Sequence, residues 1–426
     1  MSHCQPVRPR HWALATLAAA AACTLIAACG NSSAGSASSG GTVTVGESTT
    51  LSGSIAELGE SGLQGVELAV ADLNSHGGLL GKKIKVVSAD DAATPATGAA
   101  NAKNMILQDH VVALFGPVSS AVAAAEEQLA GQYKVPIFFH TSNDISLMGA
   151  NFNPYAFQVV PNTDMEPRAA ALYLDSEVKA GKIKTPLALG TFAPNYSFGQ
   201  DSVAGFIQAL KYYNVPFKIV SQQWPSLEAT NISPNLSALI AAKPSVVYNA
   251  QFGGDLVTFV KQATPFGFFK KTTMLSMLNT AELAALGSQA PAGSIAYDRA
   301  PWFAMNEPGV TAFASDYHAT YHQWPDTWAV LAYTSVQVWA YGVKHAGTFD
   351  AGKVSAAIAG AAIPTIRGTI TIRACDHQAE IPEYVGTVAS SPSSQTGFPL
   401  WTPGSAFAAP FSKIGLSCAQ MKAMQK

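Results

Sequence analysis

Charge is what this sequence has least of: Asp, Glu, Lys and Arg make up 12% of its 426 residues. The 25 basic and 27 acidic side chains form no basic stripe, so binding to nucleic acid has no electrostatic support. Cysteine is scarce, five in all, and no pair is spaced Cys-x-x-Cys, which argues against dithiol redox chemistry. There is no Gly-x-Ser-x-Gly elbow, no Gly-x-x-x-x-Gly-Lys-Ser/Thr loop and no His-Glu-x-x-His. The familiar motif-bearing hydrolases, NTPases and metalloproteases are therefore disfavoured. Only one apolar run approaches membrane-spanning length, and it lies at the N-terminus.

That run, Trp12 to Ala28, is Ala-rich and follows a short segment basic at Arg8 and Arg10. A cationic start, a short apolar stretch and small residues at its end are the layout of a secretory signal. The run closes on Leu25-Ile26-Ala27-Ala28-Cys29-Gly30, which resembles a bacterial lipobox, and the resemblance implies that Cys29 is acylated and begins the mature chain. Residues 29–41 are rich in Ser, Gly and Ala, a flexible tether by composition. Loss of residues 1–28 removes two arginines and no acids, moving the net charge from −2 to −4. The expectation is an exported protein held at a membrane by lipid, as a monomer.

Nearly 400 mature residues exceed one core, so two domains are expected. With Cys4 and Cys23 in the signal and Cys29 lipidated, Cys375 and Cys418 remain. An even pair in an oxidising compartment predicts a disulfide. From Thr42 onward β-rich and helical runs alternate. Strands are expected at Thr42–Val45, Ile84–Ser88, Val111–Phe115 and Val135–Phe139, with a loop at Gly53–Gly62 and helices at Leu63–Asn74, Pro95–Gln108 and Ala121–Tyr133. The rhythm restarts with strands at Leu187–Thr191, Phe217–Gln222, Val246–Ala250 and Thr272–Met277. Helices at Gly199–Tyr213, Ile232–Ala242 and Asp255–Phe266 separate them. The fold class is thus α/β, two doubly wound parallel-sheet lobes in series, with a ligand cleft where their strand ends face each other.

Two strand-to-helix junctions carry the candidate chemistry. Phe115-Gly116-Pro117-Val118-Ser119-Ser120 and Phe139-His140-Thr141-Ser142-Asn143-Asp144 both place polar side chains at a helix start. Exposed N–H groups and the helix dipole attract a carboxylate there, although the same side chains also suit helix capping.

These residues belong to a longer pattern: Leu51-Ser52-Gly53, Gly59, Gly65, Ala69-Val70-Ala71-Asp72-Leu73-Asn74, Gly77-Gly78, Gly81-Lys82-Lys83, Asp90-Asp91, Pro95 and Gly116 to Ser120. It continues through Val135-Pro136, Val160-Pro161-Asn162, Tyr196-Ser197-Phe198-Gly199 and Tyr384-Val385-Gly386. In order and spacing the chain resembles the Leu/Ile/Val-binding family of type I periplasmic binding proteins. The resemblance implies a ligand carboxylate at Ser120 with Ser119 beside it, and a second loop contributing near Thr141, Ser142 and Asn143. It further implies an aromatic lid at Tyr196 and a contact at Phe252. Two positions depart from the pattern: Leu58 stands where an aromatic is common, and Asn279 where an acid commonly takes an α-ammonium, with Glu282 slightly further on. Asn279 cannot supply that charge, so a neutral or anionic solute such as an amide or a short or aromatic acid competes with an amino acid. Asp144 offers a compensating charge or a helix cap.

The resemblance implies a solute receptor, not an enzyme, with no cofactor and no metal. Its partners would be the solute, the permease and ATPase subunits of an ABC transporter and the membrane through its anchor. A sensory receptor feeding a kinase would use the same lobes. His318 and His322, four apart on an expected helix Ser315–Trp324, lack a third ligand and suit a solvated face better than a metal. Chain crossings are expected near Pro161–Asp164, Tyr297–Pro301 and Arg373–His377. They would divide the protein into one lobe of 42–162 and 301–374 and a second of 163–300 and 375–426.

Overall fold

The computed structural model describes residues 40–425. The expected signal segment, Cys29 and most of the tether lie outside the described residues. Strand β1, Thr42–Thr49, is a β-branched run buried along most of its length, as the centre of a parallel sheet requires. It is followed by α1 (Ala56–Ser75), β2 (Lys83–Asp90), α2 (Pro95–Leu107), β3 (Leu114–Phe115), α3 (Ser120–Tyr133), β4 (Ile137–Phe139) and β5 (Ala156–Gln158). These five strands make an all-parallel sheet in the order β2-β1-β3-β4-β5.

The second sheet repeats that winding. Its elements are α4 (Met165–Lys179), β6 (Leu187–Phe192), α5 (Ser197–Tyr212), β7 (Phe217–Gln223), α6 (Ser233–Ala241), β8 (Val246–Asn249), α7 (Gly253–Ala263), β9 (Thr273–Met277), α8 (Thr280–Leu286) and β10 (Ile295–Asp298). Strands β7-β6-β8-β9-β10 run parallel in the same relative order as the first five. The chain then returns to the first sheet through α9 (Pro308–Tyr321), α10 (Thr327–Ala346) and α11 (Ala351–Ile358). There α10 packs lengthwise on α1. A small antiparallel sheet follows, β11 (Ala362–Thr365), β12 (Gly368–Ile372) and β13 (Ala379–Glu380). Finally β14 (Glu383–Thr387) and β15 (Phe407–Ala409) extend the second sheet as antiparallel edge strands, before the short helices α12 (Phe411–Ile414) and α13 (Cys418–Met424).

The two doubly wound parallel sheets are as expected; several boundaries are not. Gly53–Gly62 is not all loop, because α1 begins at Ala56. Its glycines are there for close packing: a Cβ on Gly59 would stand 1.9 Å from the Thr50 carbonyl oxygen, and one on Gly65 2.4 Å from that of Ala329. Helix α4 lies in a stretch where no element was expected. Its buried side mixes Ala169, Ala170 and Ala171 with Glu166, Pro167 and Asp175 and has only Met165 and Leu174 as large apolar residues, a weak hydrophobic signal.

The chain crosses between the sheets after Gln158, after Asp298 and at Ile381–Pro382. The last crossing is later than expected because Gln378 still bridges Gln158 of the first sheet. The last helix of the tail also departs from its expected place in the second lobe, although β14 and β15 keep to it. Helix α12 packs on α4, but Met421 of α13 joins the core cluster of Ile137, Leu147 and Met148 in the first. The Cys375–Cys418 disulfide and a hydrogen bond from Gln425 Nε2 to the Met148 carbonyl (3.1 Å) hold it there. Among the described residues no helix is long and apolar enough to cross a membrane.

Candidate functional site

In each sheet the winding reverses between two strands, β1 and β3 in the first and β6 and β8 in the second. Loops leaving such strands diverge and open a crevice at the carboxyl ends. In the first lobe the turn after β3 depends on Gly116, whose φ is +88° and whose added Cβ would stand 2.5 Å from the Ser48 carbonyl oxygen. Only glycine fits both conditions. Ser119 then occupies the N-cap of α3 but makes no side-chain cap bond. Ser120 Oγ accepts the N–H groups of Asn143 and Asp144, each at 3.3 Å, which ties the loop after β3 to the loop after β4.

That second loop is itself pinned. Thr141 Oγ1 is 2.8 Å from His140 Nδ1, and His140 Nε2 is 3.1 Å from Glu47 Oε1, all buried. Asn143 Nδ2 donates to the Pro161 carbonyl at 2.9 Å. From the second lobe, Tyr196 and Phe252 occupy the N-caps of α5 and α7 in extended backbone. Phe198 stands between them, its ring 5.9 Å from Tyr196 and edge-on to Phe252 at 5.4 Å. Burial, reinforced by Asp144, pushes the Tyr196 hydroxyl above its usual range, so it remains a neutral donor.

These side chains border a narrow crevice whose empty space, solvent at its mouth included, is about 240 Å³. Leu58, Val118, Ser120, Thr141 and Asn143 line one side, and Tyr196, Phe198, Phe252 and Met277 the other. Arg299 and Trp328 complete it, with the guanidinium 4.9 Å from the Trp328 ring centroid. Arg299 donates from Nε to Glu166 and from Nη1 to the Thr141 carbonyl at 2.6 Å. A larger depression of about 1100 Å³ lies beside it, opening between Glu57, Glu60, Asp326 and Gln395. The smaller one is the better site, because both winding reversals and two helix N-termini converge on it.

Of the residues expected from the sequence, Leu58, Ser120, Thr141, Asn143, Tyr196 and Phe252 are brought together. Ser119, Ser142 and Asn279 do not line the cavity. Asn279 is a helix cap: its Oδ1 accepts the Ala281 N–H at 3.0 Å, and Met277 occupies the wall instead. Glu282 accepts the Gly253 N–H at 2.7 Å, and burial pushes its carboxyl well above the usual range. Asp144 takes the capping role, accepting from Ser146 N at 2.9 Å. The expected histidine pair is not a pair: the helix ends at Tyr321, His322 turns into the left-handed region, and the His318 ring stacks on Trp324 at 4.3 Å. No group of three or more metal-ligating side chains occurs among the described residues.

The sequence reading missed Val118, Phe198, Met277, Arg299 and Trp328. Phe198 and Arg299 were within reach, one in the Tyr196 motif and the other inside an expected crossing. Trp328 had no local signal, since it arrives from a helix that returns to the first lobe.

A further set of contacts joins the lobes at the cavity rim. Ser54, in the loop after β1, accepts the Gly254 N–H at 3.1 Å through its carbonyl. Its hydroxyl donates to Asp255 Oδ1 at 3.0 Å and its N–H to Glu228 Oε1 at 2.6 Å.

Two like-wound lobes meeting over a narrow cleft accord with a match of residues 42–393 to the family model described as "Periplasmic binding protein". The chain belongs to the periplasmic binding protein family. This family binds small solutes outside the cytoplasm and works with ABC-transporter permeases. A Leu/Ile/Val-binding protein homolog 8 of Brucella abortus is 28% identical over 294 residues, 66% of this chain and 71% of the relative. A periplasmic binding protein from Burkholderia mallei superposes with a TM-score of 0.80 at 22% identity, covering 90% of this chain and 99% of that one. An ABC-transporter solute-binding protein from Rhodopseudomonas palustris, solved with 3,4-dihydroxybenzoic acid, gives 0.75 at 23% identity, covering 87% and 98%. At these identities the solved structures speak for the fold alone.

Proposed function

We propose that this periplasmic binding protein captures a small acid, amide or amino acid-like solute between its lobes and presents the closed form to an ABC importer. The hinge comprises the three crossings described above. The first lobe orients the solute through Ser120, Thr141 and Asn143; the second covers it with Tyr196 and Phe252. The observation that carries this reading is the convergence of both winding reversals on one cavity whose rim is bridged by Ser54. Ligand between the lobes stabilises the closed form by its differential affinity for it. The Brucella relative bears a name for leucine, isoleucine and valine binding, and the R. palustris protein was solved with an aromatic acid, so small carboxylates are the class to screen. The lipobox-like Cys29 supports a membrane tether, and transport by a monomer fits such a receptor.

Native mass spectrometry of the purified protein tests the reading, followed by calorimetry with whatever solute co-purifies and by small-angle scattering. A bound small solute and ligand-induced compaction are expected. No solute in the isolated protein and no stabilisation by any amino acid, amide or small acid would overturn it.

A further inference from the structure

Among the side chains that line the cavity, one carries a formal charge. It is Arg299, 2% exposed. Two of its nitrogens are occupied by Glu166 and the Thr141 carbonyl, while Nη2 makes no hydrogen bond among the described residues. Trp328 Nε1 is also buried without a partner. Ser120 Oγ accepts two N–H groups and keeps its own O–H to give. The polar end of the cavity therefore offers donors in excess of acceptors, and one of them is cationic.

No carboxylate is among the residues that line it. The acids around the cleft are already engaged: Glu166 with Arg299 behind the wall, Glu282 with Gly253 N, Asp255 with Ser54 Oγ and Glu228 N, and Asp144 with Ser146 N. None of them lines the cavity. A desolvated ammonium requires an anion or several strong acceptors, and this wall presents Leu58, Met277, Phe252 and Phe198 instead. An anion, by contrast, meets a guanidinium that is locked in place by its other bonds, which suits carboxylate recognition.

We propose that the site selects a small monocarboxylate without an α-ammonium, its body apolar and flat enough to lie among Tyr196, Phe252 and Trp328, with Arg299 as the residue that recognises the anion. This rests on the receptor reading above and names the solute class for it. The crevice is narrow as the lobes stand, its empty space of about 240 Å³ including solvent at the mouth, so the solute must be small. Arg299 reaches this position because it leaves β10 at the second crossing, where its charge is held by Glu166 of α4.

Calorimetry with two matched series tests the proposal on the unaltered protein. One is 4-methylpentanoate, its primary amide and leucine, which differ only in the charged groups. The other is phenylacetate, phenylacetamide and phenylglycine. In at least one series the acid should bind roughly 100-fold more tightly than its amide and its amino acid, as sites with fixed polar partners discriminate. Equal affinity of acid and amide, or tighter binding of the amino acid, overturns it. So does a failure of both series when native mass spectrometry shows another class of bound solute; the receptor reading then survives. If no solute of any class binds, the receptor reading falls instead. Arg299→Gln alone strands Glu166, so the paired variant Arg299→Gln with Glu166→Gln is the informative one. With its fold checked by circular dichroism, it should lose the acid-over-amide preference; retention of that preference overturns the role of Arg299. Where neither variant folds, the two series on the unaltered protein decide.

Discussion

The two lobes share a winding order yet bring opposite chemistry to the cleft. The first delivers hydroxyls, an amide and main-chain groups on loops cross-tied by Ser120 and by the Glu47–His140–Thr141 chain of hydrogen bonds. The second delivers rings on helix starts, Tyr196, Phe198 and Phe252, with Met277 behind them. A polar, pre-tied face can orient a solute before the lobes meet, because its hydrogen bonds are already directed. An aromatic face gains most after closure, when its rings leave water. Capture should thus begin on the first lobe and be completed by the second.

Their interiors differ as well, and pH should separate them with the largest effect. On α3 the first lobe buries Glu126 and Glu127; both Glu126 oxygens and Glu127 Oε2 lack hydrogen-bond partners among the described residues. Burial raises Glu127 to about 9 and Glu126 well above the ordinary carboxyl range. In the second lobe the buried Asp255 and Glu282 each accept main-chain N–H bonds. A carboxyl raised on folding stabilises fully below its unfolded pKa, and that contribution is lost as pH climbs towards the folded value. Stability should fall by up to about 1.4 kcal/mol per pH unit from Glu127 alone, between an unfolded value of ~4.3 and about 9. Urea unfolding at pH 6 and pH 9 measures the slope. Glu127→Gln keeps an acceptor for Asn153 and should flatten it; an unchanged slope would show that this acid is not the source.

The second comparison is of the walls. Tyr196→Ala and Phe252→Ala each remove a ring from the closing face, and affinity should drop by about 2 kcal/mol, roughly 30-fold. Tyr196→Ala, at a partly buried ring, should change the unfolding temperature without ligand least, whereas Phe252→Ala removes a buried core ring packed on Phe198 and should lower it as well. Calorimetry beside a thermal melt reads both quantities, and unaltered affinity in the two variants would remove the second lobe from the site.

Most of this architecture was legible in the sequence because a parallel sheet announces itself by β-rich runs separated by helical ones. The loops after β3 and β4, with Ser120, Thr141 and Asn143, were legible because a helix start has a recognisable composition. What escaped depends on contacts between distant segments. Arg299 and Trp328 meet at the cavity only because the chain crosses twice, and Met277 displaces Asn279 only because the latter's oxygen is spent on Ala281 N. Helix α4 escaped for a different reason: alanine packs tightly against the sheet while contributing little hydrophobic contrast. The return of α13 to the first lobe is written in Met421 and the disulfide, but neither specifies which lobe receives it.

On the polar face, Ser120→Ala removes one hydroxyl that braces two N–H groups and has a proton to give. About 1 kcal/mol of affinity should be lost, five- to tenfold, less than for either ring because the neighbouring donors remain. A loss exceeding that of Tyr196→Ala would reverse the assignment of orientation to one lobe and coverage to the other. A calorimetric titration of the three variants against one solute decides the order.

The smallest effect should come from the rim, where the lobes touch without reaching the solute. A Cβ on Gly254 would lie 2.6 Å from the Ser54 carbonyl oxygen, too close for the contact as it stands, although a small opening of the cleft relieves it. Gly254 is not in the left-handed region, so alanine is compatible with its backbone and even favours α7. The penalty therefore falls on the closed form alone. Gly254→Ala should weaken the solute by only a few-fold, with an unfolding temperature in the absence of ligand equal to or above that of the parent. Small-angle scattering with saturating solute should show a slightly larger radius of gyration than the parent. If affinity and compaction are both unchanged, Ser54 and Gly254 do not bear on closure, and the lobes are held together by the solute and the crossings alone.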